Sequence, residues 1–277
     1  MKRVPDNMRL GDYHMLGSHN SYCTPEYFKI VYQNSYSIRK QLDLGIRAIT
    51  LDVYEFKDHW LAKRTDSSDL ILSHGTPGWK AFSQKGFTCG GIMYQTLTDA
   101  IQQVADFLED NPDEIVWVML ERYVHLWQIE DELRPWQHLI YKNNQDNNPR
   151  FAELRRHNTR LIVSSDRGSE FIWRTWNLCF ENQFGIVKDI PALLQPRFNM
   201  NYPDSNLSIC NHFWWFPVTA LMAMIRSYHD IDFVKHLYQE WRNKYGSTPR
   251  VYMGDRLDEL VESNSDLIDY MNRLNGV

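Results

Sequence analysis

Short apolar runs alternate with longer amphipathic stretches along the chain, and the apolar runs stop at polar residues. Tyr13–Gly17 is short and apolar and leads into a polar turn. Ala48–Tyr54 (AITLDVY) is rich in β-branched residues and holds one acid. Leu70–Ser73 (LILS) stops at His74, Ile115–Leu120 (IVWVML) at Glu121, and Leu161–Ser164 (LIVS) near Asp166. Val251–Asp255 (VYMGD) repeats the pattern late in the chain. Such runs predict strands buried on both faces, as in a parallel sheet. Between them, Tyr36–Leu44 has Ile38, Leu42 and Leu44 apolar. Leu97–Leu108 places Leu97, Ile101, Val104, Ala105 and Leu108 on one helical face, with Asp99 near its start and Asn111–Pro112 at its stop. Asn143–Pro149 (NNQDNNP) reads as a loop. The Asp255–Gly276 tail alternates acids with Leu, Val and Ile and predicts a closing helix. Strand and helix in alternation predict an α/β fold with a parallel sheet.

The chain has 277 residues, which suits one large barrel-sized domain spanning 1–277. Lys plus Arg is 30 and Asp plus Glu is 35, so the formal charge is −5. That excess of acid argues against a nucleic-acid-binding surface, which usually reads basic. The four cysteines, Cys23, Cys89, Cys179 and Cys210, form no CxxC pair. A dense disulfide framework and a thiolate zinc site are excluded, and buried free thiols in a reducing compartment are expected. No apolar run reaches the roughly 18–20 residues of a membrane span. Met1–Leu10 has charges but no apolar core of a secretory leader. The expectation is therefore a soluble protein, cytoplasmic or peripheral to a membrane, with leaderless secretion left open. Aromatic residues make up 14% of the chain, including ten Trp, which suit a core or half-wet positions. Cys210–Pro217 (CNHFWWFP) reads first as a core strand and second as a rim that meets a head group or lipid.

His19–Asn20, Asp52, His74, Glu121 and Asp166 all fall where predicted strands end. One such residue only marks the end of a strand. Together they bring acid, amide and imidazole chemistry to the rim where (β/α) barrels place their active sites. Phosphate loops (GxxxxGK[ST]), nucleophile elbows (GxSxG), zinc-protease HExxH and dinucleotide GxGxxG patterns are all absent.

The chain carries L-G-S-H-N-S-Y (Leu16–Tyr22), Q-L-D-L-G-I-R-A-I-T-L-D-V-Y (Gln41–Tyr54), L-S-H-G (Leu72–Gly75) and F-L-E-D-N-P-D-E-I-V-W-V-M-L-E (Phe107–Glu121), in that order. This order resembles the catalytic X domain of phosphatidylinositol-specific phospholipase C and its relatives over about the first 120 residues. The resemblance implies a distorted TIM-type (β/α)8 barrel that cleaves phosphodiesters. It implies that His19 and His74 are catalytic. It also implies that Asn20, Asp52 and Glu121 are ligands of Ca²⁺, with Mg²⁺ or no metal as the other readings. Two carboxylates and an amide oxygen suit a hard cation, and two imidazoles can serve as acid and base near neutral pH. The chain departs from the pattern at Thr50, where metal-dependent members carry a glutamate. The lysines that grip extra inositol phosphates also lack clear counterparts, and Asp166 and Arg167 stand near that strand instead. Arg167 is the candidate for neutralising phosphate. Arg47 reads as structural, and Asp255 as an acid that orients a histidine.

The function implied is cleavage of a phospholipid of the phosphoinositide type, carried out at a membrane surface. Its rivals are a related barrel phosphodiesterase acting on glycerophosphodiesters or sphingomyelin, and a catalytically silent barrel that binds lipid or protein.

Overall fold

The computed structural model describes residues 2–27, 32–56, 70–74, 94–143, 146–182, 190–195, 207–212 and 230–277. Among these, strands β1 (Met15–Ser18), β2 (Ile46–Glu55), β3 (Leu70–Leu72), β4 (Val116–Arg122), β5 (Leu161–Ser165), β6 (Trp173–Arg174), β7 (Cys179–Glu181), β8 (Leu207–His212) and β9 (Val251–Gly254) form one sheet. Its order is β6-β5-β4-β2-β1-β9-β8-β7, with β3 attached to β2. Every pairing along that path is parallel. The last strand, β9, lies beside the first, β1, so the sheet curls as a distorted (β/α)8 barrel does.

Period-two alternation divides the strand residues between two apolar clusters. Ile49, Leu51, Val53, Val118, Leu120, Val163 and Tyr252 pack outward with the helices, against residues such as Ile101, Val104 and Leu108. Ala48, Trp117, Met119, Ile162, Ile209, Val251 and Met253 fill the other face. Gly17 belongs to this inner set. A Cβ there would lie 2.6 Å from the Met253 methyl and 3.0 Å from Val251. Continuing the inner parity upward from each strand gives His19, Asp52, Glu121, Asp166 and Asp255. One sheet face therefore delivers all five to one rim.

Three elements differ from the sequence expectation. The segment at Leu70 pairs antiparallel with β2, Val53 opposite Leu72, where a parallel strand was expected. The closing helix is broken into Leu257–Ser263 and Asp266–Leu274. Asn264 breaks it because its side-chain oxygen accepts the Asp266 backbone N–H at 2.8 Å, a local bond that competes with the helix. The thiol expectation holds at Cys179 and Cys210, which are buried and free. It fails at Cys23, which is disulfide-bonded, a state that persists in oxidising compartments. Cys89 lies outside the described residues.

The tail docks under β1 through His14. The His14 N–H donates to Asn275 Oδ1 at 2.8 Å, and its carbonyl accepts from Asn275 Nδ2 at 2.9 Å. Its Nε2 lies 2.8 Å from Arg250 Nη1. Burial and the Arg250 charge pull the His14 pKa down to about 4. The unfolded chain takes up this proton near pH 6.5, so between about 6.5 and 4 it binds more protons than the folded chain. His14 thus contributes stability above that window and loses it as pH falls. The thermal midpoint is expected to drop more steeply from pH 6.5 to pH 4.5 in the wild type than in His14→Gln. Parallel curves would contradict this.

Candidate active site

The site begins where β1 ends. The His19 N–H donates to the Gly254 carbonyl at 3.1 Å, which ties the turn to the end of β9. Asn20 has φ 45°, a left-handed backbone that asparagine adopts more readily than most residues. Its N–H donates to Thr50 Oγ1 at 2.7 Å, and the Ser21 N–H donates to the Thr50 carbonyl at 3.0 Å. Thr50 therefore anchors the turn from the neighbouring strand.

Each predicted histidine meets a carboxylate through Nδ1. His19 Nδ1 lies 2.9 Å from Asp255 Oδ1, and the Asp255 side chain is 9% exposed. His74 Nδ1 lies 3.0 Å from Asp52 Oδ2, and the Asp52 side chain is 6% exposed. Antiparallel β3 makes the second pair: Ser73 N–H donates to the Asp52 carbonyl at 3.1 Å, and His74 follows directly. The Asp52 hydrogen bond raises the His74 pKa against the opposing effect of burial, with the charges of Asp52, Glu121 and Asp255 adding. Asn20 Nδ2 reaches to 3.4 Å from His74 Nδ1. So His19, Asn20, Asp52, His74 and Asp255 converge on one site.

Glu121 is the register partner of Asp52 on β4. Its carboxylate accepts the Tyr123 hydroxyl. The Tyr123 ring stacks on Tyr54 at 4.2 Å and 11°, so an aromatic wall stands over the two acids. Tyr22 is buried below. Burial pushes its phenol well above the ordinary range, helped by Asp52 and Glu121. Arg122 does not pair with Glu121. Its Nε and Nη2 grip Asp166 at 2.6 and 2.9 Å. Arg167 is exposed and makes no ion pair among the described residues.

Asp52 and Glu121 offer two carboxylates side by side, with the Asn20 amide beside His74. That hard-oxygen set fits a divalent cation whose remaining ligands are water or substrate oxygens. Among the described residues no three His, Cys, Asp or Glu side chains cluster as a self-sufficient metal site. Thr50 stands where a third acid was expected, and it bonds the turn instead.

The Trp-rich segment lies only partly within the described residues. Cys210–His212 lie in β8, where His212 meets the Tyr252 hydroxyl at 2.6 Å and stacks on Phe233. Those residues are core. Phe213–Pro217 lie outside the described residues. Among the described residues, the large exposed aromatics are Tyr123 (53%) and Trp127 (60%), which sequence reading did not single out. No helix among the described residues is long and apolar enough to cross a membrane.

No family model matches the chain. A PI-PLC X domain-containing protein of Arabidopsis thaliana is 24% identical over 202 residues, 68% of this chain and 43% of that protein. The match thus spans less than half the length of that relative. A variant of the phosphatidylinositol-specific phospholipase C from Staphylococcus aureus superposes over 95% of this chain and 94% of its own, with TM-score 0.56 and 12% identity. A pentafluoro-Phe form of the same enzyme gives TM-score 0.54 over 95% of both chains, also at 12% identity. The chain has the phosphatidylinositol-specific phospholipase C fold. In that distorted barrel the polar residues gathered here lie on the rim that follows the strands, where (β/α) barrels do their chemistry.

Proposed function

We propose that the protein is a phosphodiesterase that cleaves a phospholipid of the phosphatidylinositol type. The observation that carries this reading is the pair of histidines at one rim, each with Nδ1 within hydrogen-bond reach of a buried or nearly buried aspartate. Such pairing sets the tautomer and turns Nε2 to acid–base work. One imidazole takes the proton of the attacking hydroxyl, and the other gives a proton to the leaving glycerol oxygen. In an inositol head group the neighbouring hydroxyl is the attacker, held beside the phosphorus at little entropic cost. The product is then a cyclic phosphate.

Asn20, Asp52 and Glu121 would hold Ca²⁺. When bound, the ion supplies positive charge against the phosphate oxygens and lowers the pKa of the attacking hydroxyl. Tyr54 and Tyr123 form a flat wall against which a sugar-like ring can pack. Arg167, exposed after β5, would neutralise the phosphate of a substrate that extends past the end of that strand. Trp127 and Tyr123 are the rim residues suited to a lipid surface, since an aromatic ring with a polar edge is stable half-wet.

The test is product analysis on phosphatidylinositol vesicles with added Ca²⁺ and with chelator. Calcium-dependent cyclic inositol phosphate supports substrate, mechanism and ion together. Cleavage that ignores chelator removes the ligand roles from Asp52 and Glu121. Binding to vesicles with no product on any phosphodiester would make the chain a silent lipid-binding barrel.

A further inference from the structure

The segment Gln33–Tyr36 straps together the two sides of the His19–Asp255 pair. On one side, Asn34 Nδ2 donates to the His19 carbonyl at 2.9 Å and to the Asn20 carbonyl at 3.0 Å. Asn34 Oδ1 accepts from Ser18 Oγ at 2.9 Å. The Asn34 side chain is fully buried and spends its donors and an acceptor lone pair on three consecutive residues of the turn. On the other side, the Arg256 N–H donates to the Gln33 carbonyl at 2.8 Å. Asp258, also fully buried, accepts the Ser35 and Tyr36 N–H groups at 2.7 and 2.8 Å. Arg256 directly follows Asp255 and holds a left-handed φ of 53°. The strap therefore references both the imidazole and its carboxylate to one short stretch of chain.

Resting on the phosphodiesterase reading above, we propose that Asn34 is a positioning residue that fixes the His19–Asn20 turn and so aligns His19 with Asp255. The two donated bonds hold the carbonyls on either side of the Asn20 peptide in the strained left-handed turn. Asn34→Asp keeps the shape and removes both donors, setting a carboxylate oxygen against two carbonyls. The turn relaxes, and His19 no longer meets Asp255 at bonding distance. A displacement of about 1 Å at such a group lowers turnover by about 100-fold. Substrate binding by other parts of the rim is unaffected, so the loss falls on kcat and not on KM.

The experiment is Asn34→Asp, with kcat and KM on phosphatidylinositol vesicles and nitrogen-detected NMR of the histidine rings. Expected are a kcat lower by about 100-fold, KM within about twofold, loss of the Nδ1–H signature of His19, and an unchanged His74 ring. A folded variant whose His19 signature matches wild type overturns the proposal. If wild type turns over no phosphodiester but the variant still loses the His19 signature, the positioning role stands and the phosphodiesterase reading falls. If Asn34→Asp does not fold, Ser18→Ala releases the Asn34 side chain more gently. It is then expected to shift the same His19 signal, and an unshifted signal overturns the proposal.

Discussion

His74→Ala is expected to lower turnover of phosphatidylinositol by about 10³-fold, within the range that loss of a positioned acid or base costs. The His74 imidazole bonds the Asp52 carboxylate and lies beside Asn20. Stability is expected to change little. The His74 side chain is 33% exposed, and Asp52 lies beside Tyr22 after the ring is removed. The variant should therefore fold and bind vesicles as wild type does while making almost no product. Circular dichroism, vesicle sedimentation and product release measure the three quantities separately. Retention of more than about a tenth of the wild-type rate would contradict an acid–base role for His74.

The largest expected effect on stability lies far from the rim, at Arg47. Its guanidinium is 3% exposed and bonds Glu114 Oε2 at 2.9 Å. It also donates to the Leu42 and Ile46 carbonyls at 2.5 and 2.8 Å and lies over the Phe107 ring at 4.7 Å. It thus joins the helix Ile38–Asp43, β2 and the helix Leu97–Asp110. Removing Arg47 leaves the Glu114 carboxylate without its guanidinium partner and takes one donor from each of the two carbonyls, at a cost of about 3–5 kcal/mol. Arg47→Ala is expected to lower the unfolding free energy by that amount in urea titrations. Arg47→Ala combined with Glu114→Ala should lose less than the sum of the two single changes, because the partners share one interaction. A single-variant loss below about 1 kcal/mol would place the ion pair among ordinary surface contacts.

The inner rim was legible in the sequence because it follows from strand parity. Apolar residues at alternate positions in AITLDVY and IVWVMLE place Asp52 and Glu121 on the face that carries Ala48 and Trp117. The pairing of His19 with Asp255 was only half legible. The late strand VYMGD marked an acid at its end, but the two residues lie 236 positions apart, and only adjacency of β1 and β9 brings them together. The direction of β3 was not legible, since three residues carry no signal of parallel or antiparallel pairing. Nor were β6 and β7, which hold two and three residues. The helix Ile231–Tyr245 was readable and was missed: Val234, Leu237, Tyr238 and Trp241 share a buried face, and Gly246 closes it with φ 77°. Asn34 left no sequence signal, because its importance lies in which carbonyls it meets.

The measurement that tests the two-histidine rim most directly is phosphorus NMR of wild-type protein acting on phosphatidylinositol vesicles, followed over time with Ca²⁺ and with chelator. The expected result is an early cyclic inositol phosphate signal that requires Ca²⁺ and gives way slowly, if at all, to the linear phosphate. Unchanged vesicles under both conditions, from folded protein that binds them, would contradict the assignment of His19 and His74 as an acid–base pair.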